Sequence, residues 1–204
     1  MIALTAGTYA YVASIAGKES GKTTITVTRN ADGTTRIAED GSGQANGMAG
    51  TAKATMALGA DAAPTAYAAH VDVGGTAFDT AAVFAGATAT VDGLGGKQTF
   101  TLASGQHFAV LDGGLVSGFI ALPVQASVWA GSSIAALVPI YGQSAPLVVD
   151  ATAKPVRPNG IPAGDASVSV SAPIALVEWY DPATMILDEL DVPSQGLVVA
   201  RKRS

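Results

Sequence analysis

The sequence predicts a mostly β protein: a large curved antiparallel sheet, half-barrel or barrel-like, with one short helix packed on it. Alternation of apolar and polar residues with period 2 recurs along the chain, and turn residues separate the alternating runs. A single segment shows helical spacing instead. Because 204 residues can bury a substantial core, we expect residues 1–204 to form one β-rich domain.

The clearest alternation lies in the first half of the chain. Within residues 24–28, Ile25 and Val27 fall on one face and three threonines on the other. The pair Asp32-Gly33 has the turn chemistry of a hairpin, and Gly74-Gly75 indicates a second tight turn. Strands are predicted here at residues 7–15, 24–28, 34–39, 65–73, 76–84, 87–91 and 98–102.

The second half continues the pattern around one proline-rich interruption. Three prolines within residues 153–164 predict a surface loop, since proline cannot donate a ladder hydrogen bond. Residues 181–184 have the composition of a turn. Further strands are predicted at residues 134–141, 146–150, 167–171, 175–180 and 196–203.

Residues 110–125 are the one candidate helix. Apolar residues recur there at helical spacing: Leu111, Leu115, Val116, Phe119, Ile120 and Leu122. Asp112 is expected to cap the first turn and Pro123 to limit the end. Three glycines each cost this helix ~1 kcal/mol relative to alanine, so packing must hold it in place.

Composition excludes several classes of function. The formal net charge of −5 disfavours binding to phosphate backbones, and the basic residues 201–203 are interpreted as a solvated strand end, so no nucleic-acid partner is expected. The chain has no cysteine, which excludes disulfides and thiolate metal sites. No apolar run approaches ~20 residues, so no transmembrane helix is expected.

The first six residues lack the basic and apolar regions of a signal peptide. We interpret them as the start of a mature chain with a new Met, and expect a periplasmic or secreted protein whose signal peptide is absent here. A native cytoplasmic start is the alternative.

Candidate chemical groups are few. His70 and Asp72 would share one face of a strand, and His107 is the other imidazole, but neither a nucleophile motif nor a ligand cluster accompanies them. The acidic residues Asp188, Glu189 and Asp191 do not match a calcium loop and are interpreted as solvated strand residues. We therefore predict no catalytic residue, metal or cofactor, and expect both histidines to be dispensable.

Several segments resemble a group of bacterial cell-envelope proteins of unknown function. The resemblance is carried by residues 7–11, 108–112, 136–139, 178–182 and 193–198. It implies a long curved antiparallel sheet, similar in shape to the lipoprotein carriers of the periplasm. The final hairpin of this chain, 181–185, lacks the glycine usual in that group.

Small alanine and valine side chains dominate the apolar 49% of the chain, so an inner sheet face would leave room for the helix or a ligand. The leading hypothesis is a non-enzymatic cell-envelope protein that binds an apolar ligand such as a lipid or acyl chain. The candidate ligand-binding residues are Tyr9, Tyr11, Leu115, Phe119, Ile120, Trp129 and Trp179. The alternatives are an assembly protein that pairs through its sheet edges, also with copies of itself, and an enzyme that uses His70, Asp72 or His107.

Overall fold

A computed structural model describes residues 3–45 and 47–203, so Met1 and Ile2 of the interpreted mature start lie outside the described residues. These residues form fifteen strands and one α-helix, α1, at Ser117–Val128. The strands are β1 Gly7–Ile15, β2 Lys18–Arg29, β3 Thr35–Ala45, β4 Met48–Leu58, β5 Pro64–Val73, β6 Thr76–Ala85, β7 Thr88–Gly93, β8 Gly96–Thr101, β9 Gln106–Val110, β10 Ser133–Val138, β11 Gln143–Val149, β12 Ala166–Ala172, β13 Leu176–Asp181, β14 Ile186–Val192 and β15 Leu197–Arg201.

All fifteen strands belong to one open, curved sheet. Their order is β8-β7-β6-β5-β4-β3-β2-β1-β15-β14-β13-β12-β11-β10-β9, so most neighbours in space are consecutive in the chain. Every pair is antiparallel except β9 and β10, which are parallel because α1 connects them. The predicted fold class, a large curved and mainly antiparallel sheet with one helix, is confirmed.

The turn chemistry read from the sequence also holds. Strand β1 has the predicted bounds, and Gly74 and Gly75 both adopt positive φ, +60° and +83°, in the hairpin between β5 and β6. Three strands, β4, β9 and β14, were not predicted from the sequence. β4 contains four alanines and one glycine, which are depleted in strands. β9 ends where the predicted helical segment 110–125 begins and shares only Val110 with it, and β14 is buried on both faces at its start, so neither shows a simple alternation.

The predicted helix bounds and cap are wrong. The helix begins at Ser117 rather than near Leu111, because β9 ends at Val110 and residues 111–116 form a linker between the two elements. Asp112 lies in that linker and does not cap α1. Pro123 lies inside the helix, which continues to Val128. The proline is tolerated because sheet packing, rather than a complete hydrogen-bond ladder, holds the helix.

Helix α1 lies in the concave side of the sheet rather than on an outer face. It packs against β3 and β4 on one side and against β12, β13 and β14 on the other. Residues 120–125 are all buried, so the helix has no solvated stripe. A Cβ atom at Gly118 would lie 2.1 Å from the Val110 carbonyl oxygen, so only glycine permits this close approach of α1 to the end of β9.

The two ends of the sheet approach each other around the helix. The backbone N–H of Leu94, after β7, donates a hydrogen bond of 3.0 Å to the carbonyl of Ile140, after β10. The rings of Phe84 in β6 and Phe108 in β9 meet edge to face with centroids 5.6 Å apart. These contacts give the open sheet its barrel-like shape.

The C-terminal basic residues are not a fully solvated strand end, and Asp188 is not a solvated residue. Asp188 is 2% exposed. Its carboxylate lies 2.6 Å from Nη2 of Arg201 and 2.7 Å from Nη2 of Arg203. Burial is the main cause that raises the pKa of Asp188 to about 6, and the adjacent Asp165 adds to it. The two arginines thus tie the end of β15 to the start of β14.

Candidate functional site

A cavity of about 440 Å³ opens at the end of the sheet where β1, β3 and β5 finish and β2, β4 and β15 begin. The linker before α1 and the first turn of α1 close its inner side. Its apolar walls come from Ala13, Ala52, Val71, Leu115, Phe119 and Leu197. The cavity is therefore bounded by the inner face of the sheet and by the helix.

Glycines on the inner sheet face create the room. Gly21 in β2 is paired with Gly43 in β3, which is paired in turn with Gly50 in β4. A Cβ atom at Gly43 would lie 2.7 Å from the Ser20 carbonyl oxygen, and one at Gly50 would lie 2.8 Å from the Asp72 carbonyl oxygen. Side chains are excluded at these positions, so the strands coil tightly and the space above them stays open.

A buried carboxylate forms part of the inner wall of the cavity. Glu39, in β3, is 5% exposed and lines the cavity. It accepts hydrogen bonds from the backbone N–H of Val116 at 3.0 Å and of Ser117 at 2.8 Å, and from the Thr23 hydroxyl at 3.1 Å. Burial raises the pKa of Glu39, and these donors oppose that rise. A strand residue thus performs the capping role expected of Asp112.

Two of the seven predicted ligand-binding residues line this cavity. Leu115 lies in the linker with 2% of its surface exposed, and Phe119 in the first turn of α1 is half-buried. Both sit on the helical side of the cavity, opposite the inner sheet face. An apolar molecule in the cavity would contact both side chains.

Three other predicted residues lie away from the cavity. Ile120 is fully buried in the core. The Tyr11 hydroxyl donates to the carbonyl of Leu187 in β14 at 2.9 Å, and the Tyr9 hydroxyl donates to the Thr5 carbonyl at 2.9 Å, so both hydroxyls are engaged with the backbone. Burial raises the pKa of both phenols.

The two tryptophans are also outside the cavity. Trp129, just after α1, stacks on His107 with ring centroids 4.5 Å apart, and its indole N–H donates to the Asp61 carbonyl. Trp179 points to the face of β13 opposite to that of its inward-facing neighbours. The guanidinium of Arg157 lies 4.5 Å from the Trp179 ring centroid. Arg157 belongs to the predicted proline-rich loop, which thus covers this tryptophan.

His70 and Asp72, the pair considered as an alternative catalytic or metal-binding group, have separate hydrogen-bond partners. His70 Nδ1 lies 2.7 Å from Asp79 Oδ1 across the β5–β6 pair, on the outer face of the sheet. Asp72 instead accepts the backbone N–H of Gly75 at 3.0 Å. Within residues 3–45 and 47–203, no three histidine or acidic side chains are grouped closely enough to hold a metal ion.

Sequence reasoning missed two buried acids that define the interior. Glu39 lies two residues after Ile37 in β3, and Glu178 lies two residues after Leu176 in β13, so each acid is on the same strand face as a buried apolar residue. A charged residue at an otherwise apolar period-2 position was therefore the available signal. Glu178 has no measurable exposed surface, and burial raises its pKa well above the usual value.

No helix among the described residues has the length and apolar character needed to cross a bilayer. The sequence matches no family model and none of the curated proteins.

The fold is similar to solved bacterial structures. A β-barrel-like protein of the domain of unknown function DUF1849 from Brucella abortus superimposes with a TM-score of 0.54 and 10% sequence identity, covering 99% of this chain and 97% of that one. A DUF1089 family protein from Pseudomonas aeruginosa gives a TM-score of 0.49 and 9% identity, covering 86% and 90%. At 10% identity the first likeness shows the fold alone: this chain has a β-barrel-like architecture found in bacteria.

Proposed function

We propose that this protein is a non-enzymatic binding protein that holds the chain of an apolar ligand, such as a lipid or acyl chain, in the cavity between the curved sheet and α1. The observation that carries the proposal is the aliphatic and aromatic lining of a cavity of about 440 Å³. Small-molecule sites are concave, mostly apolar and roughly 300–1,000 Å³ in volume, with a few placed polar groups.

The construction of the cavity supports a binding role. Fully packed interiors leave few voids larger than a water molecule, yet glycines keep this space open along three adjacent strands. The half-buried side chains of Ala52, Val71 and Phe119 face it, so an occupant would remove further apolar surface from water. Filling the cavity would therefore stabilise the folded protein.

A cavity-filling substitution tests the proposal. We expect Ala52→Phe to abolish binding of the uncharged dye N-phenyl-1-naphthylamine, because the new ring occupies the cavity. Ala66→Phe places the same ring on the exposed outer face of β5 and should leave dye binding unchanged. Wild-type protein that neither enhances dye fluorescence nor carries a lipid in an organic extract analysed by mass spectrometry would refute the proposed function.

The proposal includes a location in the cell envelope, periplasmic or secreted. Its support is the resemblance of segments such as 7–11 and 178–182 to bacterial envelope proteins of unknown function. Fractionation of the source bacterium, with detection by a specific antibody, tests this part separately. Recovery in the cytoplasmic fraction would refute the location while leaving the binding role intact.

A further inference from the structure

The polarity of the cavity changes from its floor to its rim. At the floor, the Glu39 carboxylate and the Thr23 hydroxyl lie 3.1 Å apart on the inner face of β2 and β3. Toward the rim, β1 and β15 supply an apolar wall: Ala13 pairs with buried Val199, and Ile15 pairs with Leu197. Ile15 is 48% exposed at the opening. A ligand of matching polarity would point its head group inward and its chain outward.

The floor of the cavity accepts hydrogen bonds, and its ionisable side chain is an acid, Glu39. Glu39 is surrounded by cross-strand neighbours Ile25 and Ala54, neither of which is charged. Among the described residues that line the cavity, Lys22 is the one cation, and it is exposed and lies 3.1 Å from Glu19. No lysine or arginine therefore reaches the floor to receive an anionic head group.

The chemistry of Glu39 selects the head group. A carboxylate or phosphate beside Glu39 would place like charges together in a poorly solvated space, which is unfavourable. An ammonium group would lose its hydration, while the backbone N–H groups of Val116 and Ser117 already offset the charge of Glu39. A hydroxyl group can donate a hydrogen bond to the carboxylate without bringing a second charge into the cavity.

We infer that the ligand is a single-chain amphiphile with an uncharged hydroxyl head group, which donates to Glu39 at the cavity floor while its chain follows the wall of β1 and β15 to the rim. This inference rests on the proposed function and specifies the class of ligand that the same cavity takes.

Displacement of N-phenyl-1-naphthylamine by three ligands of equal chain length, 1-decanol, decanoate and decylamine, tests the inference at pH 8. We expect 1-decanol to displace the dye at a concentration at least about tenfold lower than decanoate or decylamine, a factor that corresponds to ~1.4 kcal/mol. Glu39→Gln should reduce the difference between 1-decanol and decanoate to about threefold or less. Glu19→Gln, which removes an exposed carboxylate at the same end of the sheet, should preserve it.

The outcomes separate the ligand class from the binding role. Dye binding with equal or better displacement by decanoate or decylamine would overturn the hydroxyl class and leave the proposed function standing. Absence of dye binding and of any displaceable alkyl ligand would overturn both. The wild-type comparison of the three ligands needs no variant, so it decides the inference even if Glu39→Gln does not fold.

Discussion

Replacing Glu178 by Gln should make the protein more stable at neutral and alkaline pH. Glu178 has no exposed surface, and neither of its carboxylate oxygens has a hydrogen-bond partner among the described residues. Burial is the cause that raises its pKa well above the usual value. Glutamine keeps the shape of the side chain and removes the ionisable group, so the comparison isolates the cost of the buried acid.

The sign of the pH dependence follows from proton binding. The folded protein holds the Glu178 proton to higher pH than the unfolded chain, in which a glutamic acid has a pKa of about 4.3. The wild type therefore loses stability as pH rises from the unfolded pKa toward the raised folded pKa, and the loss persists above both. Glutamine also leaves a buried polar group without a partner, but it never carries a charge. The gain of Glu178→Gln at pH 8 should therefore be the ionisation contribution alone, about 1.4 kcal/mol for each pH unit between the unfolded and folded pKa values.

Urea unfolding monitored by tryptophan fluorescence at pH values from 4 to 8 measures this difference. The stabilities of wild type and Glu178→Gln should converge at the acidic end and diverge steadily as pH rises. Glu19→Gln, at an exposed position, should not reproduce that divergence. Equal stabilities at pH 8, or a variant that is less stable there, would show that the Glu178 carboxylate is stabilised in a way that its burial does not reveal.

Two further substitutions test how the interior is held. Tyr67→Phe removes the hydroxyl that donates to buried Asp112 at 2.7 Å, so the free energy of unfolding should fall by about 1–3 kcal/mol. Tyr141→Phe, at an exposed position, should change the free energy of unfolding little. Equal effects of the two substitutions would show that the hydrogen bond from Tyr67 to Asp112 does not stabilise the fold. Phe119→Ala should weaken binding of N-phenyl-1-naphthylamine, because Phe119 lines the cavity. Ile120→Ala, in the fully buried core, should lower the free energy of unfolding by about 2–5 kcal/mol and leave dye affinity unchanged. A binding titration in which Ile120→Ala weakens dye binding and Phe119→Ala does not would contradict the assigned cavity.

Hairpins were the part of the fold that the sequence encoded most locally. Alternation around Ile25 and Val27 and the positive-φ turn at Gly74 and Gly75 depend on neighbouring residues only, so strand positions and the curved-sheet class could be predicted. The strand β14 could not, because Ile186, Leu187 and Asp188 are all buried and erase the alternation. Its burial results from the long-range closure of the sheet around α1.

The cavity was only partly predictable for the same reason. Apolar spacing indicated that Leu115 and Phe119 belong to the interior, but periodicity could not show which of the interior residues would face open space. The walls of the cavity come from strands separated by more than 100 residues in the chain, such as β2 and β15. Glu39 and Gly43 become neighbours of the helix linker only after the sheet has curved.

The start of α1 connects the error in the helix prediction with the existence of the cavity. A helix that began near Leu111 with Asp112 as its cap would place its first turns where the linker now runs. Instead, Asp112 accepts from Tyr67 and from the backbone of Ile140, and Glu39 binds the N–H groups at the true start of α1. Asp112 thus fixes the linker at one point of the sheet, and Glu39 fixes the start of α1 at another. The linker, rather than an added helical turn, closes one side of the cavity, so the space beside Glu39 depends on the same capping bonds that fix the helix.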